Sequence, residues 1–414
     1  MIASNPPVFT NDAVVLGILI SVLALIFSTA QSEHPFFKKF YAYVPALLLC
    51  YFIPSVLNSL GIVSGDRSQL YPVASRYLLP VSLVFLTVGV DFRAILRLGP
   101  KAVLMFLAGV LGIVAGGPLS IMIVSVFAPE AVGGVGSDAV WRGMATIAGS
   151  WIGGAANQAA LREVFQPSDR LFSSAIAVDV VAANLWMAVL IYAAGRANQL
   201  DARMGADATA IEEVRKKIET YQQGIVRNPT LKDLLVLLAV GFGVTAVAHA
   251  LADVLAPRMG PALAKFSLTS PFFWVVILVT ALGLLLSFTR ARRLEGIGAS
   301  KLGSLFLYVL IATIGMKMDL LAIFANPSLF LVGFVWVMIH ATVLLLVARL
   351  IRAPFFFTAV GSQACLGGAA STPIVAAAFH PALASVGVLL AVLGNAVGTY
   401  GGYLTALLMQ MVAE

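Results

Sequence analysis

One phrase occurs twice in this chain, once in each half: Gly149-Ser150-Trp151-Ile152-Gly153-Gly154-Ala155-Ala156-Asn157 and Gly361-Ser362-Gln363-Ala364-Cys365-Leu366-Gly367-Gly368-Ala369-Ala370-Ser371. Each sets a glycine pair, then small and amide or hydroxyl side chains, inside apolar sequence. A glycine costs a helix about 1 kcal/mol relative to alanine, so each pair is expected to break one. Only 11% of the 414 residues are charged and 60% are hydrophobic, where soluble domains carry about 25% charge. That composition implies an all-α polytopic membrane protein. In a bilayer, broken backbone survives only where it is buried in protein or lines a wet cavity. Two matched breaks are the pattern of a repeat-built secondary transporter with its site at the breaks.

Apolar runs long enough to cross a hydrocarbon core of about 30 Å fall near 12–29, 41–60, 72–90, 102–127, 171–195, 232–255, 271–289, 302–320, 328–348 and 382–411. The Gly-Gly elements, 143–165 and 354–379, lie between the fourth and fifth and between the ninth and tenth. No Lys or Arg precedes Lys38, so the first run is expected to be a retained helix rather than a signal peptide. If both Gly-Gly elements dip in and return on one side, the loops 30–41, 91–101, 196–232, 290–301 and 349–354 share a face. They hold 2, 3, 7, 4 and 2 basic residues, 18 of the chain's 26. If the first element crosses instead, that bias largely disappears. The positive-inside rule therefore favours ten full helices plus two re-entrant elements, with both termini outside; a half-unwound crossing helix is the alternative, for about 10–12 membrane segments in all.

This topology predicts two inverted repeats of about five helices, each with one Gly-Gly element, over 1–195 and 232–414. Leu86-Thr87-Val88-Gly89-Val90-Asp91 ends an early helix inside, and Ala312-Thr313-Ile314-Gly315-Met316-Lys317 ends its counterpart outside. The polar stretch 196–231 is the boundary, a cytoplasmic linker. Within it Thr209-Ala210-Ile211-Glu212 reads as a capping box, and Ile211, Val214, Ile218, Tyr221 and Ile225 follow at helical spacing, predicting a short amphipathic helix against the membrane surface.

The net charge of +7 sits in short loops and carries no nucleic-acid motif. Cys50 and Cys365, and the scattered His34, His249, His340 and His380, show neither a disulfide framework nor metal-ligand spacing. Gly133-Gly134-Val135-Gly136 lacks the Lys-Ser/Thr of a phosphate cradle and reads as an external loop. No hydrolase, kinase or dehydrogenase constellation is present, so no enzyme and no organic cofactor are expected.

Asp179 is the sharpest single residue. It lies nine residues into its span, about 12 Å deep at 1.5 Å per residue, where a carboxylate costs about 2.5 kcal/mol or more and marks an ion or proton site by default. A structural acid bonded to a neighbouring helix, or to Arg142 or Arg170, is the alternative. Asn184 follows on the same helix. The corresponding helix of the second half carries Asn395, with Thr399 one turn on. Asn157 and Gln158 follow the first glycine pair, Gly153-Gly154, and Ser371 and Thr372 follow the second, Gly367-Gly368. Their oxygens suit Na⁺, while half-helix N-termini starting after the glycines favour an anion; tight packing through small residues is the competing explanation. Pro373 strengthens the second break. Asp91, Lys317 and Asp319 sit at the ends of the repeat-related helices, either facing a cavity or as interface charges.

At Ile152-Gly153-Gly154-Ala155-Ala156-Asn157, Asp179 through Trp186-Met187-Ala188, Gly367-Gly368-Ala369 and Leu393-Gly394-Asn395-Ala396 through Gly402, the chain resembles a widespread multi-spanning family known as domain-of-unknown-function 819, over most of its length. More loosely, Gly153-Gly154-Ala155-Ala156-Asn157 resembles the Gly-Gly-Thr-Ala-Ser-Asn break of bile-acid:sodium symporters, and the layout resembles glutamate:sodium symporters and cation/proton antiporters. Those likenesses imply a core with two broken elements crossing at the midplane, moving against a scaffold that often forms a homodimer. Here the second break carries Ser371-Thr372 instead of an amide.

The resulting expectation is a secondary transporter in the bacterial cytoplasmic membrane, moving a small organic anion coupled to Na⁺ or H⁺. Asp179, Asn157, Gln158, Asn184, Asn395 and Thr399 would form the cation site, with Asp179 the ligand of Na⁺. Gly153, Gly154, Gln158, Gly367, Gly368, Ser371, Thr372 and the half-helix N-termini would hold the anion. A monovalent cation/proton antiporter remains open, as does a membrane sensor acting through the 196–231 helix.

Overall fold

A computed structural model describes residues 7–41, 44–205, 211, 228–318, 327–380 and 383–413. Among these every regular element is helical. The first half contains α1 (Asp12–Ala30), α2 (Ala46–Ser59), α3 (Leu70–Val88), α4 (Pro100–Phe127), α5 (Val140–Gly153), α6 (Ala155–Phe165) and α7 (Asp169–Ala194). After α8 (Ala197–Met204), the second half contains α9 (Leu231–Leu255), α10 (Pro271–Ser287), α11 (Ala299–Gly315), α12 (Ser328–Leu350), α13 (Phe355–Leu366), α14 (Gly368–Phe379) and α15 (Ala384–Ala413). The amphipathic helix expected after Thr209 lies outside the described residues apart from Ile211, and Asp319 lies outside them as well.

Helix ends follow local chemistry. The Asn11 side chain accepts the Ala13 N–H at 2.8 Å, and Ser168 accepts that of Leu171 at 3.1 Å. Thr230 and Asp233 form a reciprocal capping box on α9, each satisfying an amide the helix cannot. Inside α3 a π-helical turn spans Ala74–Leu78 between Pro72 and Pro80. Pro80, four residues beyond Arg76, has no N–H to offer its carbonyl, which lies 3.2 Å from His249 Nε2 of α9.

Among the described residues, seven helices are long and apolar enough to cross a membrane, and nine spans result if two bent pairs count as one each. Ten were expected. The difference lies in α2, with 14 residues, and α10 and α11, with 17 each, all short of the roughly 20 that span a bilayer. α11 stops where Gly315 packs on Tyr51: a β-carbon there would lie 3.1 Å from Tyr51 Cα.

The helices sort into two bodies. α1, α2, α3, α9, α10 and α11 pack on one another, and α4, α5, α6, α7, α12, α13, α14 and α15 form the second body. Each half thus gives three helices to the first and a helix, a broken element and a helix to the second, in the same order. The bodies meet where α3, α10 and α11 touch α6, and where α3 and α10 touch α15. Within the second body, α15 lies along α5 with glycine facing glycine. A β-carbon on Gly153 would lie 2.7 Å from Gly398 Cα, and one on Gly402 3.0 Å from Gly149 Cα. Such small-residue seams let helix backbones approach where lipid offers no hydrophobic driving force. Trp151 and Trp336, both fully buried, pack beside the seam with ring centroids 4.8 Å apart.

Candidate functional site

Both glycine pairs turn the chain back on itself. Gly154 donates its N–H to Ser150 O at 2.7 Å, closing α5, and sits at φ 80°, ψ −176°, a region open essentially to glycine alone. α6 then runs back along α5. A β-carbon on Gly149 would lie 2.7 Å from Asn157 O, whereas an unbroken helix would separate these positions by about 12 Å. The mouth closes where Ser168 N–H donates to Ser137 O at 2.8 Å and Ser168 Oγ donates to Asp138 at 2.5 Å. The second element behaves alike: Thr372 Oγ1 donates to Gln363 O at 3.0 Å, and Phe356 near its start stacks edge-on against Phe379 at its end, centroids 5.3 Å apart. Gly368 turns at φ 57°. Each element is therefore a hairpin that leaves where it entered.

The two tips meet. A β-carbon on Gly368 would lie 3.7 Å from Gly154 Cα, and one on Gly154 would lie 3.7 Å from Asn395 Oδ1 of α15. α6 and α14 both begin at this contact; in α6 the Asn157 and Gln158 N–H groups bond Gly154 O, so the first-turn amides left without an intrahelical acceptor are those of Ala155 and Ala156. The positive ends of both helix dipoles add to this.

Asp179 of α7 reaches the first hairpin one turn from its tip. It is 6% exposed and accepts three hydrogen bonds: Ser150 Oγ at 2.6 Å, Trp151 Nε1 at 2.7 Å and Gln158 Nε2 at 2.9 Å. All three donors are neutral. Asn157 joins a second cluster on the far side of the hairpin, donating to Gly153 O at 2.8 Å and accepting from Thr399 Oγ1 of α15. Thr280 of α10 lies 3.4 Å from Thr399 Oγ1, so this cluster reaches the other body. Asn184 joins neither cluster; its amide donates back to Val180 O of its own helix at 2.7 Å. In the second hairpin, Ser371 Oγ accepts from Gln363 Nε2 at 2.7 Å and Thr372 Oγ1 also donates to Gly368 O at 2.5 Å. Gln363 Oε1, in a side chain 1% exposed, has no hydrogen-bond partner.

A second network ties the second hairpin, and its key residue was passed over in the sequence as one of four scattered histidines. His340 of α12 is fully buried, with Nδ1 3.0 Å from Gly109 O and Nε2 2.9 Å from Ser362 Oγ. A carbonyl can only accept, so Nδ1 carries the proton and Nε2 accepts from Ser362 O–H. Trp186 Nε1 of α7 in turn donates to Ser362 Oγ at 2.8 Å. The chain of donors is complete, and it joins α4, α7, α12 and α13.

At the boundary between the bodies, Arg162 of α6 is 6% exposed. Its guanidinium lies 4.9 Å from the centroids of both Tyr71 and Phe172 and bonds Asp169 at 2.5 Å. It also donates to Tyr71, which donates to Glu163. Lys317 covers the Tyr71 ring at 4.7 Å, placing it at this interface. Asp91 caps a short helix through Ala94 N–H and pairs with Arg292 at 2.8 Å. Among the described residues no three of His, Cys, Asp or Glu converge. The Asp179 carboxylate and the Ser150 and Thr399 hydroxyls are oxygens of the type a hard cation takes, while Trp151 and Gln158 present N–H groups to the carboxylate.

The uncharacterized membrane protein YjcL of Bacillus subtilis (strain 168) is 24% identical to this chain over 363 residues, covering 84% of this chain and 86% of its own length. With that relative and its long apolar helices, the chain is an integral membrane protein. The family described as Protein of unknown function (DUF819) matches residues 17–412, nearly all of it, and the chain belongs to that family.

Proposed function

We propose that this protein is a secondary active transporter, moving a small organic anion coupled to Na⁺ or H⁺ by alternating access. The observation that carries this is the meeting of two glycine-broken hairpin tips, so close that a β-carbon on Gly368 would lie 3.7 Å from Gly154 Cα, inside a body that touches a separate six-helix body. Broken helices with convergent N-termini between repeats are how membrane transporters present a site at the midplane. The anion sits against the amides of α6 and α14. The cation or proton binds at Asp179 with Gln158, supported by Asn157 and Thr399. The hairpin body moves against the other, exposing the tips to each side in turn. The repeats 1–195 and 232–414 insert in opposite senses around the 196–231 linker, with the basic loops in the cytoplasm of a bacterial cell, and the six-helix body is the surface for a homodimer.

A cation/proton antiporter is the second reading, favoured by one feature: Asp179 is a buried carboxylate whose three donors are all neutral, free to exchange a proton for a metal ion. The test is the melting temperature of the purified protein in Na⁺, K⁺ or choline at equal ionic strength, beside Asp179→Asn. A ligand at a hundredfold excess over its Kd stabilises the native state by about 2.7 kcal/mol. A Na⁺-specific rise that vanishes in Asp179→Asn is the expected result. No ion-specific shift, with a pH-dependent shift lost in the variant, would replace sodium by proton coupling. Neither response would remove Asp179 from the coupling site.

A further inference from the structure

The second hairpin holds an acceptor that nothing in the protein uses. Gln363 sits one turn before the break, over Gly367, and its Nε2 is spent on Ser371 Oγ. Its Oε1 is buried and unpartnered. Leaving a buried polar group unsatisfied costs about 1–3 kcal/mol, so such an atom calls for an explanation. The amides that open α14 begin five residues later, at Gly368, and those of α6 face them across the tip contact. Asn395 Oδ1 stands on the other side of Gly154. The crossing point therefore offers N–H donors to an anion and, near them, one buried amide oxygen, Gln363 Oε1, that needs a donor.

From this we infer that the transported anion is a carboxylate with a hydrogen-bond donor, hydroxyl or ammonium, on the carbon next to it. The carboxylate lies on the N–H groups of α6 and α14, and the neighbouring O–H or N–H donates to Gln363 Oε1. Asn395 Oδ1 flanks the same group. This rests on the transport reading above and narrows its substrate class. A simple fatty or dicarboxylic acid would leave Gln363 Oε1 unsatisfied, and a site built to bond a polar group rejects the analogue that lacks it far more strongly than an apolar pocket rejects a missing methylene.

The test uses matched acids that differ only at that carbon: propanoate, lactate and alanine, and succinate, malate and aspartate. Each is titrated against the purified full chain in Na⁺, reading the melting temperature. In at least one set a substituted member is expected to bind ten times or more tightly than its unsubstituted parent, and which member does so separates hydroxyl from ammonium. In Gln363→Met, which keeps the length and removes the amide, that preference is expected to collapse, while Gln363→Glu, which keeps an acceptor, retains it. A Gln363→Met protein that does not fold leaves the wild-type comparison as the deciding measurement. Parents that bind as well as their substituted partners overturn the inference and leave the transport reading standing. No shift with any carboxylate overturns both.

Discussion

The two hairpins share a sequence phrase but are held in different ways. The first is tied to a carboxylate: one glycine makes the turn at Gly154, three donors converge on Asp179, and Gly149 and Gly153 lie against the glycines of α15. The second is tied by a neutral chain from Trp186 through Ser362 to His340, carries Pro373 inside its returning arm, and keeps the unpartnered Gln363 Oε1 near its tip. The first hairpin is thus held by hydrogen bonds to a carboxylate, and the second by neutral groups with one amide oxygen left over near its tip. In the transporter proposed above, the ion goes with the first hairpin and the recognition of the substrate with the second.

The largest effect is expected where the first hairpin meets α15. Gly398→Val would drive a side chain into the Gly153 backbone, which cannot move aside as a flexible side chain can; a loss of about 3 kcal/mol or more would appear as a steep drop in melting temperature. Gly17→Ala, with no atom within 4 Å of its added carbon, is the control and should not destabilise. Melting unchanged by Gly398→Val would show that the seam does not hold the hairpin. Next comes the turn itself. Gly154→Ala has room for its carbon but not the backbone angle, at a cost of about 1–3 kcal/mol, measured by chemical denaturation in detergent.

The serines sharpen the comparison further. Ser362→Ala strands both the Trp186 N–H and His340 Nε2, whereas Ser150→Ala leaves Asp179 two other donors. Losses of about 2 and about 1 kcal/mol are expected, and the reverse order in melting experiments would show that the neutral tie is the weaker one.

The smallest effect lies at the base of the second hairpin. Asp201 of α8 accepts the Phe355 N–H at 2.7 Å, capping α13 from the linker. Burial holds its carboxyl above the usual carboxylate range, with the Phe355 N–H pulling the other way. A raised folded pKa means that the fold binds this proton more tightly than the unfolded chain does. The resulting stabilisation is full below the unfolded value, about 3.9, and is lost as pH rises through the folded one. Asp201→Asn keeps an acceptor and removes the titration. Wild type should therefore lose melting temperature relative to this variant as pH rises above about 4, and a constant difference would contradict the assignment.

Much of this was legible in the sequence because it depends on local chemistry. Paired glycines in apolar sequence marked both turns, and depth in a hydrophobic span marked Asp179. Matching the halves put Thr399 in the same expected site as Asn157, and the structure shows the two bonded. What depends on distant partners was not legible. Trp151 in an apolar run looks like core, and only folding turns its indole N–H onto Asp179. His340 meets Gly109 across 231 residues of chain, a pairing no spacing rule reports. Asn184 was an avoidable miss: five residues beyond Asp179 is about 140° around a helix of 3.6 residues per turn, so the two face different neighbours.

The central claim is that the tips are reached from both sides of the membrane in turn. Cys50 and Cys365 are buried; with both replaced by alanine, a single cysteine at Asn395 faces Gly154 and reports on the crossing point. Its labelling by a membrane-impermeant maleimide would be measured in right-side-out and inside-out vesicles, in Na⁺ and in choline. Alternating access predicts labelling from both faces, with the balance between them shifted by the cation. Labelling from one face only, unchanged by the ion, would contradict it.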